Sequence, residues 1–170
     1  MTMVPVPALP FREKPAVSAA VGTQAAGGLG GAGGGSAVLA QELQFRLVRL
    51  GYPIAACHDP VMMRVTAAAL GPQHAVIACS LTGITPELLD AVALARNYGA
   101  GILAITLPDS PLAQLADVVL PLHSAETSFI YKPTAARYGM LLAIDVLATE
   151  LALALPDDSQ ERLRRIKLAL

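Results

Sequence analysis

Ala75-Val76-Ile77-Ala78-Cys79-Ser80-Leu81-Thr82-Gly83-Ile84-Thr85-Pro86-Glu87-Leu88-Leu89 places three kinds of local structure side by side. Ala75 to Cys79 is an unbroken apolar run of strand length. Ser80 to Ile84 is a turn rich in hydroxyls. Thr85-Pro86-Glu87 then reads as the N-cap, N1 proline and acidic first turn of a helix. That helix carries Leu89, Val92 and Ala93 inward and ends at Tyr98-Gly99, after which Gly101 to Thr106 is a second apolar run. Apolar strands without alternation, separated by helices, are what a parallel sheet covered on both faces requires. The class read from this stretch is α/β, a doubly wound parallel sheet with helices on both faces.

Outward from it the alternation continues. Upstream, Ser36 can cap a helix to Leu50 with Gly51 at the C′ position, and Pro53 to Cys57 is a short strand. Asp59-Pro60 opens a helix that runs to Leu70 and stops at Gly71-Pro72. Downstream, Ser110-Pro111 caps a short helix to Leu115, and Asp117 to Leu122 is a further strand. A loop from His123 to Pro133 leads to a long apolar helix, Thr134 to Leu155, and a last helix runs from Ser159 to Leu170. The apolar stretch Met140 to Leu155 holds Asp145 and Glu150 and falls short of the roughly 20 residues a membrane span needs, so it is read as a buried helix.

The chain has 170 residues, 54% of them hydrophobic, enough for one ordinary domain with a sizeable core. With 15% charged residues and a formal net charge of -1, it has no excess of positive charge to neutralise a nucleic-acid backbone. Cys57 and Cys79 are the two cysteines, too few for a disulfide framework, and a reducing cytoplasm is expected. The start, Met1 to Ala20, lacks the charged leader and apolar core of a secretory signal. Eight of the 14 glycines lie between Gly22 and Gly35. Gly-rich sequence makes a poor strand, so none is read ahead of Ser36. Residues 1–31 are therefore read as a Pro/Gly/Ala-rich, poorly ordered or atypical segment, with the domain at 32–170.

In doubly wound sheets ligands bind beyond the carboxyl ends of the strands, at helix N-termini. The Ser80 to Thr85 turn suits a phosphate there. Free helix amides and the dipole attract an anion, Gly83 allows close backbone approach, and the hydroxyls of Ser80, Thr82 and Thr85 can add hydrogen bonds. The plainer account is a turn in which Thr85 caps the helix, which leaves Ser80 and Thr82 without a role. Gly33-Gly34-Gly35-Ser36 could also hold a phosphate or sugar hydroxyl, although a flexible linker feeding a capped helix explains it as well.

Taken together, Ser80-Leu81-Thr82-Gly83-Ile84-Thr85-Pro86-Glu87, Ala95-Arg96-Asn97-Tyr98-Gly99, Ile105-Thr106, Ser110-Pro111-Leu112-Ala113 and Ala116-Asp117 resemble a sugar isomerase (SIS) domain. Among SIS proteins the chain is most similar to the effector domain of RpiR-type transcriptional regulators, particularly the HexR branch. Gln41 to Gly51, Asp59-Pro60 with Arg64-Val65, Ala143 to Ala148 and Glu161 to Lys167 carry that likeness. The resemblance runs from Ser36 to the end and implies a flavodoxin-like three-layer sandwich. It also implies that Ser36 and Ser80 contact the effector, with Thr82, Gly83 and Thr85 completing the phosphate loop. The implied ligand is a phosphorylated sugar or sugar acid, such as 2-keto-3-deoxy-6-phosphogluconate, sensed by a homodimer or homotetramer. No metal, cofactor or membrane is implied. DNA would be reached only through a helix-turn-helix domain, and nothing before Ser36 has the helical periodicity of one. Such a start would fit a fragment, a misassigned reading frame or a degenerate gene.

Two other functions fit the same residues. An aldose–ketose phosphosugar isomerase needs a base to move a proton between adjacent carbons, for which Glu126, His123, His74 and Glu87 are candidates. Each has a plain role as well: Glu87 complements a helix dipole, His74 lies in a turn, and His123 and Glu126 occupy a loop. His58 beside Asp59 is read as a polar loop residue. The remaining possibility is an oligomerisation remnant held by the Met140 to Leu155 helix. Tyr131, Lys132, Thr134 and Arg137 could meet an anion or a partner chain, and Arg162 to Lys167 is read as the polar face of the last helix.

Overall fold

The computed structural model describes residues 16–20, 36–123, 135–154 and 156–169, with side-chain burial described for 38–123, 136–154 and 160–169. The element order is β1 (Ala16–Ala20), α1 (Ser36–Arg49), β2 (Ala56–Cys57), α2 (Pro60–Ala69), β3 (His74–Cys79), α3 (Pro86–Asn97), β4 (Gly101–Thr106), α4 (Pro111–Leu115), β5 (Val118–Pro121), α5 (Ala135–Ala154) and α6 (Pro156–Ala169). The strands form one parallel sheet in the order β2-β1-β3-β4-β5.

Alternate residues of the two central strands feed different cores. Ala75, Ile77, Cys79, Leu103 and Ile105 pack with Leu43 and Leu47 of α1 and with Met140, Ile144 and Leu147 of α5. Val76, Ala78, Ile102 and Ala104 turn to the opposite face, against Met63 of α2 and Leu88, Ala91 and Val92 of α3. The period of two along a strand converts continuous apolar sequence into two cores, as the doubly wound class requires.

Three expectations are corrected. A strand does precede the glycine run: β1 lies at Ala16–Ala20, upstream of the glycines, and pairs with both β2 and β3. Its sequence, Ala-Val-Ser-Ala-Ala, is small and weakly β-prone, and tertiary pairing outweighs that propensity. The strand read at Pro53 to Cys57 shrinks to Ala56–Cys57. Pro53 has no N–H to donate, and the Ala56 N–H goes to Gln44 Oε1 at 3.1 Å. The last helix starts at Pro156 rather than Ser159, a first-turn position that suits proline and the acids Asp157 and Asp158.

Strand order sets where a ligand can sit. From β1 the chain turns through α1 to β2 on one side, then crosses to β3 on the other. The crevice beyond the carboxyl ends of β1 and β3 is therefore the topological switch point. The Ser80–Thr85 loop forms one of its walls. The residues that join β1 to Ser36 lie outside those described.

Candidate functional site

Ser80 extends β3 by donating its N–H to Ile105 O at 3.1 Å, and its buried Oγ accepts the Gly83 N–H at 3.0 Å. That bond gives Ser80 the plain role the sequence reading could not supply: it shapes the loop. Gly83 has φ of +67°, and a Cβ there would lie 2.2 Å from Ser110 Oγ and 2.5 Å from Thr106 Oγ1. Only glycine fits this close approach. The two hydroxyls beneath it lie 3.2 Å apart, Ser110 Oγ donates to Leu107 O at 2.8 Å, and the Leu112 N–H reaches Gly83 O at 3.1 Å. The β3–α3 loop is thus seated on the β4–α4 loop. Thr106 was missed as part of this support because it ends a buried strand in sequence and meets Gly83 only in the folded chain.

Thr85 departs from its plain reading. Its carbonyl accepts the Leu89 N–H at 3.0 Å, but its side chain makes no cap bond. The caps of α2 and α4 behave otherwise, with Asp59 Oδ1 accepting from Met62 at 2.8 Å and Ser110 Oγ from Ala113 at 3.2 Å. Thr85 Oγ1 is buried and has no hydrogen-bond partner among the described residues. An orphaned hydroxyl at the N-terminus of a helix is costly unless something else engages it.

Beside this loop a cavity of about 420 Å³ is lined by Thr82 and Ile84, by Leu107 to Pro111, and by Leu122 and His123. Its size suits a small-molecule ligand. Thr82 links the loop to the cavity, whereas Ser80, Gly83 and Thr85 do not line it. Ser36 is the first residue of α1, and its side chain lies outside those described.

Of the isomerase candidates, His123 lines the cavity and is exposed. Glu87 is exposed in the first turn of α3. His74 begins β3, at the opposite edge of the sheet, where its Nδ1 accepts the Gly71 N–H at 3.0 Å. Glu126, Tyr131, Lys132 and Thr134 lie outside the described residues, and Arg137 is exposed at the start of α5. His58 is exposed next to the capping Asp59. Burial pushes the Cys79 thiol up to about 12 and the Cys57 thiol above its usual range, so neither supplies a thiolate at neutral pH. Among the described residues no group of three or more His, Cys, Asp or Glu could hold a metal, and no helix is long and apolar enough to cross a membrane.

A doubly wound parallel sheet with a hydroxyl-lined loop at its switch point defines a ligand-binding type of α/β domain. The SIS domain family model matches residues 29–150, and the chain belongs to that family. It is 36% identical over 137 residues to the HTH-type transcriptional regulator HexR of Pseudomonas aeruginosa, covering 81% of this chain and 48% of that protein. The chain therefore spans about half the length of this relative. The Vibrio vulnificus NanR protein, solved with ManNAc-6P, matches with a TM-score of 0.79 at 21% identity, over 94% of this chain and 56% of NanR. The sugar isomerase domain of an RpiR transcription factor from Sphaerobacter thermophilus matches with a TM-score of 0.74 at 22% identity, over 93% of this chain and 81% of that one. These two likenesses establish the three-layer fold.

Proposed function

We propose that the chain is the effector domain of an RpiR-type, HexR-like regulator: it binds a phosphorylated sugar or sugar acid at the switch point and couples occupancy to oligomer state. The observation that carries this reading is Thr85 Oγ1, buried at the N-terminus of α3 and without a partner among the described residues. A phosphate over that terminus would meet free amides, the positive end of the dipole and, after a small loop adjustment, this hydroxyl. Thr82 would bridge phosphate and cavity, Ser80 and Gly83 would hold the loop, and Ser36 would approach from the α1 side. The first ligand to test is 2-keto-3-deoxy-6-phosphogluconate. Binding to DNA would require a helix-turn-helix domain that is not part of the SIS fold. Solved with ManNAc-6P, the NanR protein is a precedent for phosphosugar binding on this fold.

Calorimetry with a panel of phosphosugars and sugar-acid phosphates tests the proposal. One of them should bind; Thr82→Ala should weaken it by about 1.5–3 kcal/mol, the worth of a hydrogen bond to a charged group, and Ser80→Ala should weaken it indirectly, by releasing the Gly83 N–H that shapes the loop. Absence of binding across the panel would remove the reading. His123 on the cavity wall supports isomerisation as the second reading. Turnover of a bound phosphosugar, lost in His123→Gln or Glu126→Gln, would favour it over a purely sensory domain.

A further inference from the structure

The cavity beside the candidate loop carries a charge pattern that narrows what can occupy it. It opens on the side of β3 away from β1, where the loops after β3, β4 and β5 converge. Thr82 joins it to the phosphate loop, and its walls are mainly apolar. Ser110 Oγ is already engaged there, donating to Leu107 O and accepting the Ala113 N–H. The carboxylate of Asp109 lines the cavity, and among the described residues no lysine or arginine does. Arg96 donates to Leu115 O at 2.9 Å, at the end of α4, and Arg137 is exposed at the start of α5 without lining the cavity. A second acid, Glu87, stands in the first turn of α3.

A phosphate can still be held at α3, because free amides and the positive end of the dipole offset its charge within the first turn. That help does not extend into the cavity. A second anion placed there would face Asp109 with no cation of the described lining to offset it, and the apolar walls strengthen the repulsion by lowering the local dielectric. A hydroxyl in the same place can donate a hydrogen bond to the carboxylate, and an ammonium can pair with it. Asp109 is exposed, so water and salt weaken the repulsion without removing it. Across about 7 Å, the width of a cavity this size, it corresponds to roughly a three- to ten-fold difference in affinity at low salt.

We infer that Asp109 is a specificity-determining residue: the cavity takes the end of a phosphosugar that is uncharged or cationic, as in a phosphorylated polyol, aldose or amino sugar, and disfavours the carboxylate of a phosphorylated sugar acid. The inference rests on the phosphosugar reading and narrows it. It places 2-keto-3-deoxy-6-phosphogluconate below an uncharged phosphosugar in order of affinity. Specificity then comes from an unfavourable contact as much as from favourable ones. Asp109 also has a plain role, since it precedes the cap Ser110 and complements the N-terminus of α4. That role acts on stability and leaves the ratio of two ligands' affinities alone.

Calorimetry on the full chain with a matched pair of ligands tests it, at low ionic strength and pH 8, above the ordinary titration of an imidazole. 6-Phospho-D-gluconate and D-glucitol 6-phosphate share their carbon chain and phosphate and differ only at the first carbon, carboxylate against hydroxymethyl. Wild type should bind the glucitol phosphate roughly three- to ten-fold more tightly, and the ratio should shrink in about 0.5 M salt. Asp109→Asn should bring the ratio close to one and Asp109→Lys should invert it. Far-UV circular dichroism should stay unchanged in both, because the position is exposed. Glu87→Gln acts on the phosphate that both ligands carry, so it should shift the two affinities together and keep the ratio. D-glucosamine 6-phosphate against D-glucose 6-phosphate reads the same carboxylate with the opposite sign, the amino sugar binding more tightly in wild type and losing that advantage in Asp109→Asn. A wild type that binds the phosphogluconate as tightly as the glucitol phosphate, or more tightly, overturns the inference. So does a ratio that Asp109→Asn leaves unchanged, or that Glu87→Gln alters as much. Binding by none of the four also overturns it, and the wider panel of phosphosugars then decides the underlying reading separately.

Discussion

Thr85 and Ser80 sit in one loop but relate differently to a ligand. Ser80 Oγ already has a partner in the Gly83 N–H, whereas Thr85 Oγ1 is buried without one among the described residues. Replacing Thr85 by valine keeps the shape and removes the orphaned hydroxyl. Its desolvation cost then disappears, so the free protein should be as stable as wild type or more so, by about 1 kcal/mol. Phosphosugar affinity should move the other way and fall, while Thr85→Ser should retain most of it. Urea titration and calorimetry on the three proteins would show whether stability and affinity separate. If Thr85→Val binds like wild type, the hydroxyl belongs to no ligand site. Residues of this kind are where function departs from local consistency.

At the scale of elements, α6 is held by a contact that its sequence does not announce. Arg162 donates to Leu50 O at 2.8 Å, at the end of α1, and its side chain lies against Gly51, which has φ of +84°. The arginine was expected on a solvated polar face; instead it supplies the carbonyl partner that a helix C-terminus needs. Arg162→Ala should cost about 1 kcal/mol in urea unfolding, and Arg164→Ala, at an exposed position of the same helix, should cost little. Equal effects from both would assign the stabilisation to general charge. The Pro-marked starts of α2, α3 and α4 were legible because cap, proline and dipole signals are local. So were β3 and β4, whose apolar runs fill both cores. β1 was not, because five small residues become a strand only through pairing with β2 and β3. In the candidate site, the sequence marked the loop but not which hydroxyls are already engaged, since the Gly83–Ser110 approach joins two loops 27 positions apart in the numbering.

At the scale of the whole molecule, the two halves of the proposed function, sensing and oligomerisation, become one measurable quantity. If ligand at the switch point changes dimer affinity by some factor, thermodynamic linkage requires dimerisation to change ligand affinity by the same factor. Val38, Phe45 and Val48 of α1 and Tyr138, Leu142 and Val146 of α5 are exposed, an apolar face against which a second copy would pack. Leu142→Glu, well along α5 from its start, leaves the Ser80–Thr85 loop untouched and separates the two events. Its phosphosugar affinity should differ from that of the wild-type dimer by about 5- to 150-fold, the usual span of such couplings. Sedimentation of wild type with and without saturating ligand should return the matching factor, with the same sign. The dimer should also make thermal stability depend on protein concentration in wild type and not in Leu142→Glu. Equal ligand affinities in the two proteins, together with a ligand-insensitive dimer, would mean that binding and assembly share a fold without communicating. Matching factors would place the start of α1 between them, because α1 follows β1 at the switch point and carries part of the exposed apolar face.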